Sequence, residues 1–200
     1  KSILAESKGI FIYNIFEYEW TSCIIKPKII NMLKNILQQN TVKIQARKCD
    51  IRDVSTKDKQ TFLKKYHIQG GDKSKYNYGL YYNNELVSLM TFCSSRFSHG
   101  KQKWELSRFC SKSDTNVIGA AGKLFKYFVD TIMEKDEECV TYNDFTKTRG
   151  SLYEHLGFEF KHLADPNYVW WNPYTEEIKT RYQCRMKNEN QVMHANKFYR

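Results

Sequence analysis

NVIGAAGKLFKYF, residues Asn116–Phe128, joins a strand pattern to a helix pattern. Gly119, Ala120 and Ala121 open a segment that at once becomes amphipathic: Leu124, Phe125 and Phe128 form an apolar face, Lys123 and Lys126 a wet one. The helix is expected to run to about Glu134. Upstream, Lys103–Phe109 (KWELSRF) has the composition and alternation of a strand. A strand feeding a small-residue turn and then a helix N-terminus suits an anion. The first N–H groups of a helix have no partner within it, and its dipole is positive there. The plainer reading is a strand–helix joint whose Gly and Ala only allow close packing. Neither G-x-x-x-x-G-K-[ST] nor G-x-G-x-x-G occurs.

Two hundred residues hold one well-packed domain, or one with a small appendage. A formal net charge of +10 calls for an acidic partner, with nucleic acid first and an anionic cofactor or membrane surface behind it. A solvated lysine-rich face is the alternative. Cys23, Cys49, Cys93, Cys110, Cys139 and Cys184 are scattered, with no C-x-x-C spacing. That argues against structural zinc and a disulfide framework and for a reducing cytoplasm. No apolar run approaches the roughly 18 residues that cross a bilayer, and no signal peptide is visible. The chain begins at Lys1 without Met, as a piece of something longer would.

In chain order, a helical lead Ser2–Ser7 precedes a predicted strand, Lys8–Phe16, and an acidic turn, Glu17–Trp20. Ile24–Leu37 has a helical apolar stripe, with Pro27 tolerated near its start. Val42–Val54 alternates as a strand or bulged strand, and Ser55 caps a helix over Thr56–Tyr66. After a loop, His67–Lys75, the strands Tyr78–Tyr82 and Leu86–Phe92 form a hairpin through Asn83–Asn84–Glu85. Lys103–Cys110 and the central helix follow. Then come a strand Glu138–Tyr142, a short helix Lys147–Leu156 capped by Gly157, and strands Phe158–Leu163, Tyr168–Trp171 and Ile178–Met186. Residues 188–200 read as a basic polar tail. The expected class is α+β (α/β mixed sheet) with helices on its faces. His67, His99, His155 and His162 show no ligand spacing and read as structural or surface residues.

The element order, with N-x-x-G-x-A at Asn116–Ala121 and LYEHLGF at Leu152–Phe158, resembles the GNAT superfamily of N-acyltransferases. The resemblance covers roughly Val42–Lys187. It implies a GNAT-like fold, a central mixed β-sheet flanked by helices, here with a small N-terminal strand–helix appendage. It also implies acetyl-CoA or another acyl-CoA as donor. Asn116, Val117, Ile118, Gly119, Ala120 and Ala121 would hold the pyrophosphate, with Asn116 where the family usually has Gln or Arg. Leu106, Arg108 and Phe109 would lie beside the pantetheine arm. Tyr153 matches the tyrosine that protonates the departing thiolate; without the family it reads as a core tyrosine.

GIFIYNIFEYEW, ARKCDIRDV, FLKKYHIQG, GLYYNNELVSLMTF and WELSRFCSK also resemble bacteriophage homing-endonuclease-like proteins. In those, a domain similar to very-short-patch repair endonucleases precedes a GNAT-like body. The resemblance divides the chain into a C-terminal remnant of a nuclease-like domain (1–40), the GNAT-like domain (41–187) and the tail (188–200), in a host cell's cytoplasm. Glu17 and Glu19 alone cannot position a metal for strand cleavage, so no metal is expected.

For the base, Glu105 either faces a cleft or pairs with a cation such as Arg108. Strand alternation puts those two on opposite faces unless a bulge intervenes. Asp144 is a second candidate at a strand end, or a loop residue capping the next helix. Arg96, His99, Lys101 and Lys103, then Lys147 with Arg149, are the expected nucleic-acid contacts, extended by Lys179, Arg181 and Arg185. Trp104, Trp170 and Trp171 are stacking candidates or core. Two functions follow: an acyltransferase, modifying DNA or a nucleobase, or a non-catalytic GNAT-like module that grips DNA for a homing endonuclease.

Overall fold

The computed structural model describes residues 4, 5, 7–96, 101–164, 168–180 and 184. They fall into two units: Lys1–Asn14 with Pro27–Glu159, and Ile15–Lys26 with Phe160–Arg200.

The first unit is built on five strands. β2 (Asp50–Asp53), β3 (Tyr76–Tyr82), β4 (Glu85–Ser94), β5 (Gln102–Ser111) and β7 (Glu138–Thr141) lie side by side in that order. Every neighbour is antiparallel except β5 and β7, which run parallel. Asn83 and Asn84 turn the β3–β4 hairpin at φ of 50° and 62°, a conformation short polar side chains tolerate. α3 (Thr56–Tyr66) packs Phe62 and Leu63 on Leu89 of one sheet face. Its Ser55 cap accepts from Asp58 N at 3.1 Å. α4 (Ala120–Ile132) covers the other face, where Leu124 and Phe128 are fully buried. Phe128 stacks on Phe92 with ring centroids 3.7 Å apart. The class is therefore α+β: a mostly antiparallel mixed sheet flanked by helices.

β1 (Val42–Gln45) and β6 (Thr115–Ile118) make a separate parallel pair. The strand expected over Val42–Val54 is thus two strands, broken by a 3₁₀ turn at Ala46–Lys48. α2 (Lys26–Ile36) is fastened to this unit. Asp114 N donates to Asn31 Oδ1 at 2.7 Å, and Lys34 pairs with Asp114 at 3.3 Å.

In the second unit, β8 (Val169–Trp171) and β9 (Ile178–Thr180) form a short hairpin. α1 (Glu17–Thr21) occupies the expected acidic turn, since Glu19 reaches back to Phe16 N at 2.9 Å and starts a helix. Ser22 donates to Glu176 at 2.6 Å.

Lys8–Phe16 is not a strand. Its composition suits a sheet, but its one backbone bond to a distant segment in the described residues is Asn14 N to Thr146 O, 2.9 Å. Phe158–Leu163 is likewise irregular, and the helix expected over Lys147–Leu156 is α5, Ser151–His155. His99, Arg181, Arg185, the tail 188–200 and, of Ser2–Ser7, Ser2, Ile3 and Glu6 lie outside the described residues. No helix among the described residues is long and apolar enough to cross a membrane.

Candidate active site

The site begins with one extra residue. On β5, Leu106 stands opposite Phe92 and Arg108 opposite Thr91, so Ser107 has no counterpart on β4. This bulge resets the alternation. Glu105, opposite Cys93, and Arg108, opposite Thr91, therefore share the α3 face of the sheet, and the bulge that simple alternation required is present.

The bulge is pinned from that face by a buried carboxylate. Asp72 Oδ2 accepts from Ser74 Oγ at 2.5 Å and Thr91 Oγ1 at 2.6 Å, and Lys59 Nζ lies 3.3 Å from Oδ1. Ser107 adds a side-chain hydrogen bond. Burial alone would raise the Asp72 pKa, but the three hydroxyls and the ammonium outweigh it and hold the carboxyl at about 2.

Next to the bulge the sheet forks. β5 pairs with β7 only from Gln102 to Leu106, while β5 itself continues to Ser111. Beyond Leu106 no strand among the described residues covers that edge, leaving β-ladder groups open to a ligand. At the fork Thr141 Oγ1 donates to Leu106 O at 3.1 Å, and the Tyr153 hydroxyl hydrogen-bonds Thr141. Burial raises the Tyr153 pKa, so at neutral pH the phenol keeps its proton. Tyr153 also packs on Phe158, 5.9 Å between rings. It is a core tyrosine with its hydroxyl at the fork.

A cleft of ≈ 650 Å³ runs from the free edge at Phe109–Ser111 to the N-terminus of α4. Gly119 caps that helix at φ 81°, where a side chain would be strained, and a Cβ there would meet only Ala46 at 3.8 Å. A Cβ on Gly122 would meet nothing within 4 Å. The first intrahelical bond is Lys123 N to Gly119 O, 3.1 Å. The amides of Ala120, Ala121 and Gly122 therefore precede the helix ladder and border the cleft. Asn116, Val117 and Ile118 also line the cleft, but they form β6 and share their backbone bonding with β1. That strand was not foreseen, and it narrows the amide donors to the first turn of α4. Ile118 is 44% exposed.

The other expected site residues separate. Glu105 is buried and gripped by Arg96 through two bonds, Nε–Oε2 3.0 Å and Nη2–Oε1 2.8 Å. Arg96 in turn lies over the Tyr142 ring. Asp144 is exposed and accepts from Thr146 N and Oγ1 at 2.9 and 2.7 Å, so it closes its own loop. The Arg108 side chain faces α3, away from α4, so only its backbone lies along the free edge. Lys147 is not a surface cation: it is 4% exposed and donates to Asn14 O. Lys101, Lys103 and Arg149 are exposed. Trp104 packs against Phe128 and donates to Glu137 at 2.7 Å, which makes it core rather than a base-stacking platform.

Part of the cleft lining was hidden in the sequence: Asn31, Met32 and Asn35 of α2 and His67, just after α3, line it. Burial, then the charges of Arg108 and Lys28, push His67 well below the ordinary imidazole range. A base depressed in the folded state is neutral there, while the unfolded chain takes up a proton below about 6.5. Stability is therefore full above that pH and falls as pH drops beneath it. Urea midpoints are expected to decline from pH 6.5 toward 4. His67→Asn, which keeps an acceptor for Gln69 N, should flatten that decline. Asp72 adds a second loss only below about 3.8, as pH falls toward 2.

No family model, curated protein or solved structure matches the chain.

Proposed function

We propose that the sheet unit is an acyl-CoA-dependent N-acyltransferase of the GNAT type. The observation that carries this reading is the fork. A bulged strand leaves an open edge, the edge leads to unpartnered helix amides, and a protonated tyrosine stands where the two strands part. Acetyl-CoA or another acyl-CoA fits that order of groups. The amides of Ala120, Ala121 and Gly122 take the diphosphate. The open edge at Phe109–Ser111 bonds the pantetheine amides.

In the reaction an amine attacks the thioester carbonyl. The new N–C bond forms as the C–S bond breaks, Tyr153 gives its proton to the departing sulfur, and the amine proton goes to a base. Of the two carboxylates considered, Glu105 lies one register position before the fork, and Asp144 is committed to its loop. Glu105 must loosen its Arg96 pair to take the proton, so the acceptor amine works best when it arrives neutral. Tyr153→Phe is expected to leave acetyl-CoA affinity within about twofold and to cut kcat by 10²–10⁴, on the order of a lost general acid. Equal loss of binding and turnover would mean the ring only packs.

The acceptor we favour is DNA or a nucleobase, on the strength of the net charge of +10 and exposed Lys101, Lys103 and Arg149. The same residues favour a second reading, a non-catalytic module that grips DNA. Salt-dependent mobility shifts without any CoA affinity would select it.

A further inference from the structure

We propose that the part of the cleft beside His67 is an oxyanion pocket, in which His67 and the two cations behind it, Lys28 and Arg108, receive a carboxylate or phosphate group of the substrate. The acyltransferase reading enters only in saying which substrate that is.

Of the four cations Lys28, Lys59, Arg96 and Arg108, two lack an acid. Lys59 has Asp72, and Arg96 has Glu105. Lys28 is 8% exposed and donates to His67 O at 3.0 Å, with no carboxylate in salt-bridge range among the described residues. Arg108 Nη1 donates to Ser107 O at 2.7 Å, and its buried Nε has no partner. Leaving a guanidinium N–H and a buried ammonium without an anion is costly. Both carboxylates that act on Arg108, Asp72 and Glu105, are already held by other groups. His67 and Cys110 connect this cluster to the cleft, because both line it. Both also sense the two charges: His67 is lowered by burial and then by Arg108 and Lys28, and Cys110 is pushed up by burial against the pull of the same pair. Lys28 and Arg108 stand behind the lining rather than in it, so an oxyanion entering beside His67 would draw on two cations with donors to spare, Arg108 in the fork geometry that suits carboxylate and phosphate.

The test is NMR on the full chain, with the Arg108 Nε–Hε resonance assigned through its own side-chain carbons. Titration with inorganic phosphate is expected to shift that resonance saturably. Lys28→Met should weaken the effect about tenfold, the scale of one charge-assisted hydrogen bond. A resonance that stays fixed while the Ala120 and Ala121 amides shift overturns the pocket. Movement at Arg108 with those amides fixed supports the pocket and counts against the diphosphate site instead. If Lys28→Met does not fold, the wild-type titration still decides. Kinetics separate the two sources of the oxyanion. Succinyl-CoA is compared with acetyl-CoA, and an amine bearing an acid with its amide. Arg108→Gln is expected to raise KM about tenfold for the acid-bearing member of one pair only, with partial rescue by Arg108→Lys. An equal change for every substrate would overturn the assignment.

Discussion

Asp72→Ala is expected to cost about 3–5 kcal/mol, a large part of the stability of a domain this size. Removing the carboxylate leaves Lys59, only 1% exposed, as a buried ammonium without a counter-charge. It also strands the hydroxyls of Ser74 and Thr91. The urea midpoint should fall accordingly. The double change Lys59→Met with Asp72→Leu should recover most of the loss, since an apolar pair of similar volume needs no desolvation of charge. The double variant also isolates function. It restores packing but not the Ser107 hydrogen bond, so acyl transfer should remain impaired after stability returns. If the single change shifts the midpoint by less than about 1 kcal/mol, Asp72 is not the hub described here.

Gly122→Trp is expected to raise the dissociation constant for acetyl-CoA at least about a hundredfold, because the indole would occupy the cleft in front of the helix amides. The fold should not suffer. A Cβ at this position meets nothing, and Gly122 sits in the first turn of α4, so Gly122→Ala should add about 0.5–1 kcal/mol. The pair of variants separates blockage from damage. Circular dichroism melts check the fold, and calorimetry checks the ligand.

Elements whose signals are local were legible from residue order. Ser55 before an amphipathic run marked α3, Asn83–Asn84 marked the hairpin, and the small residues at Gly119–Ala121 marked the start of α4. What depends on neighbours was not legible. Strand composition at Lys8–Phe16 meets no partner strand among the described residues, whereas the four residues of β6 form a strand only because β1 lies alongside. The Ser107 bulge is a register relation between β4 and β5, and no single residue announces it. Lys147 reads as a nucleic-acid contact and Lys28 lies in the helical segment Ile24–Leu37, yet both are buried with their ammonium groups on backbone carbonyls. Of the expected site residues, Tyr153 comes to the fork through Thr141, and Gly119–Ala121 line the cleft, which Leu152 and His155, helix neighbours of Tyr153, also border. Asp144 is absorbed by its loop, and Lys147 by the interior.

The central claim is that the fork and the first turn of α4 together hold an acyl-CoA. Isothermal titration of acetyl-CoA into the full chain tests it most directly. Saturable one-to-one binding in the micromolar range, about −7 to −8 kcal/mol, is the expected result. No heat at millimolar acetyl-CoA, or a binding heat that Gly122→Trp leaves unchanged, would contradict it.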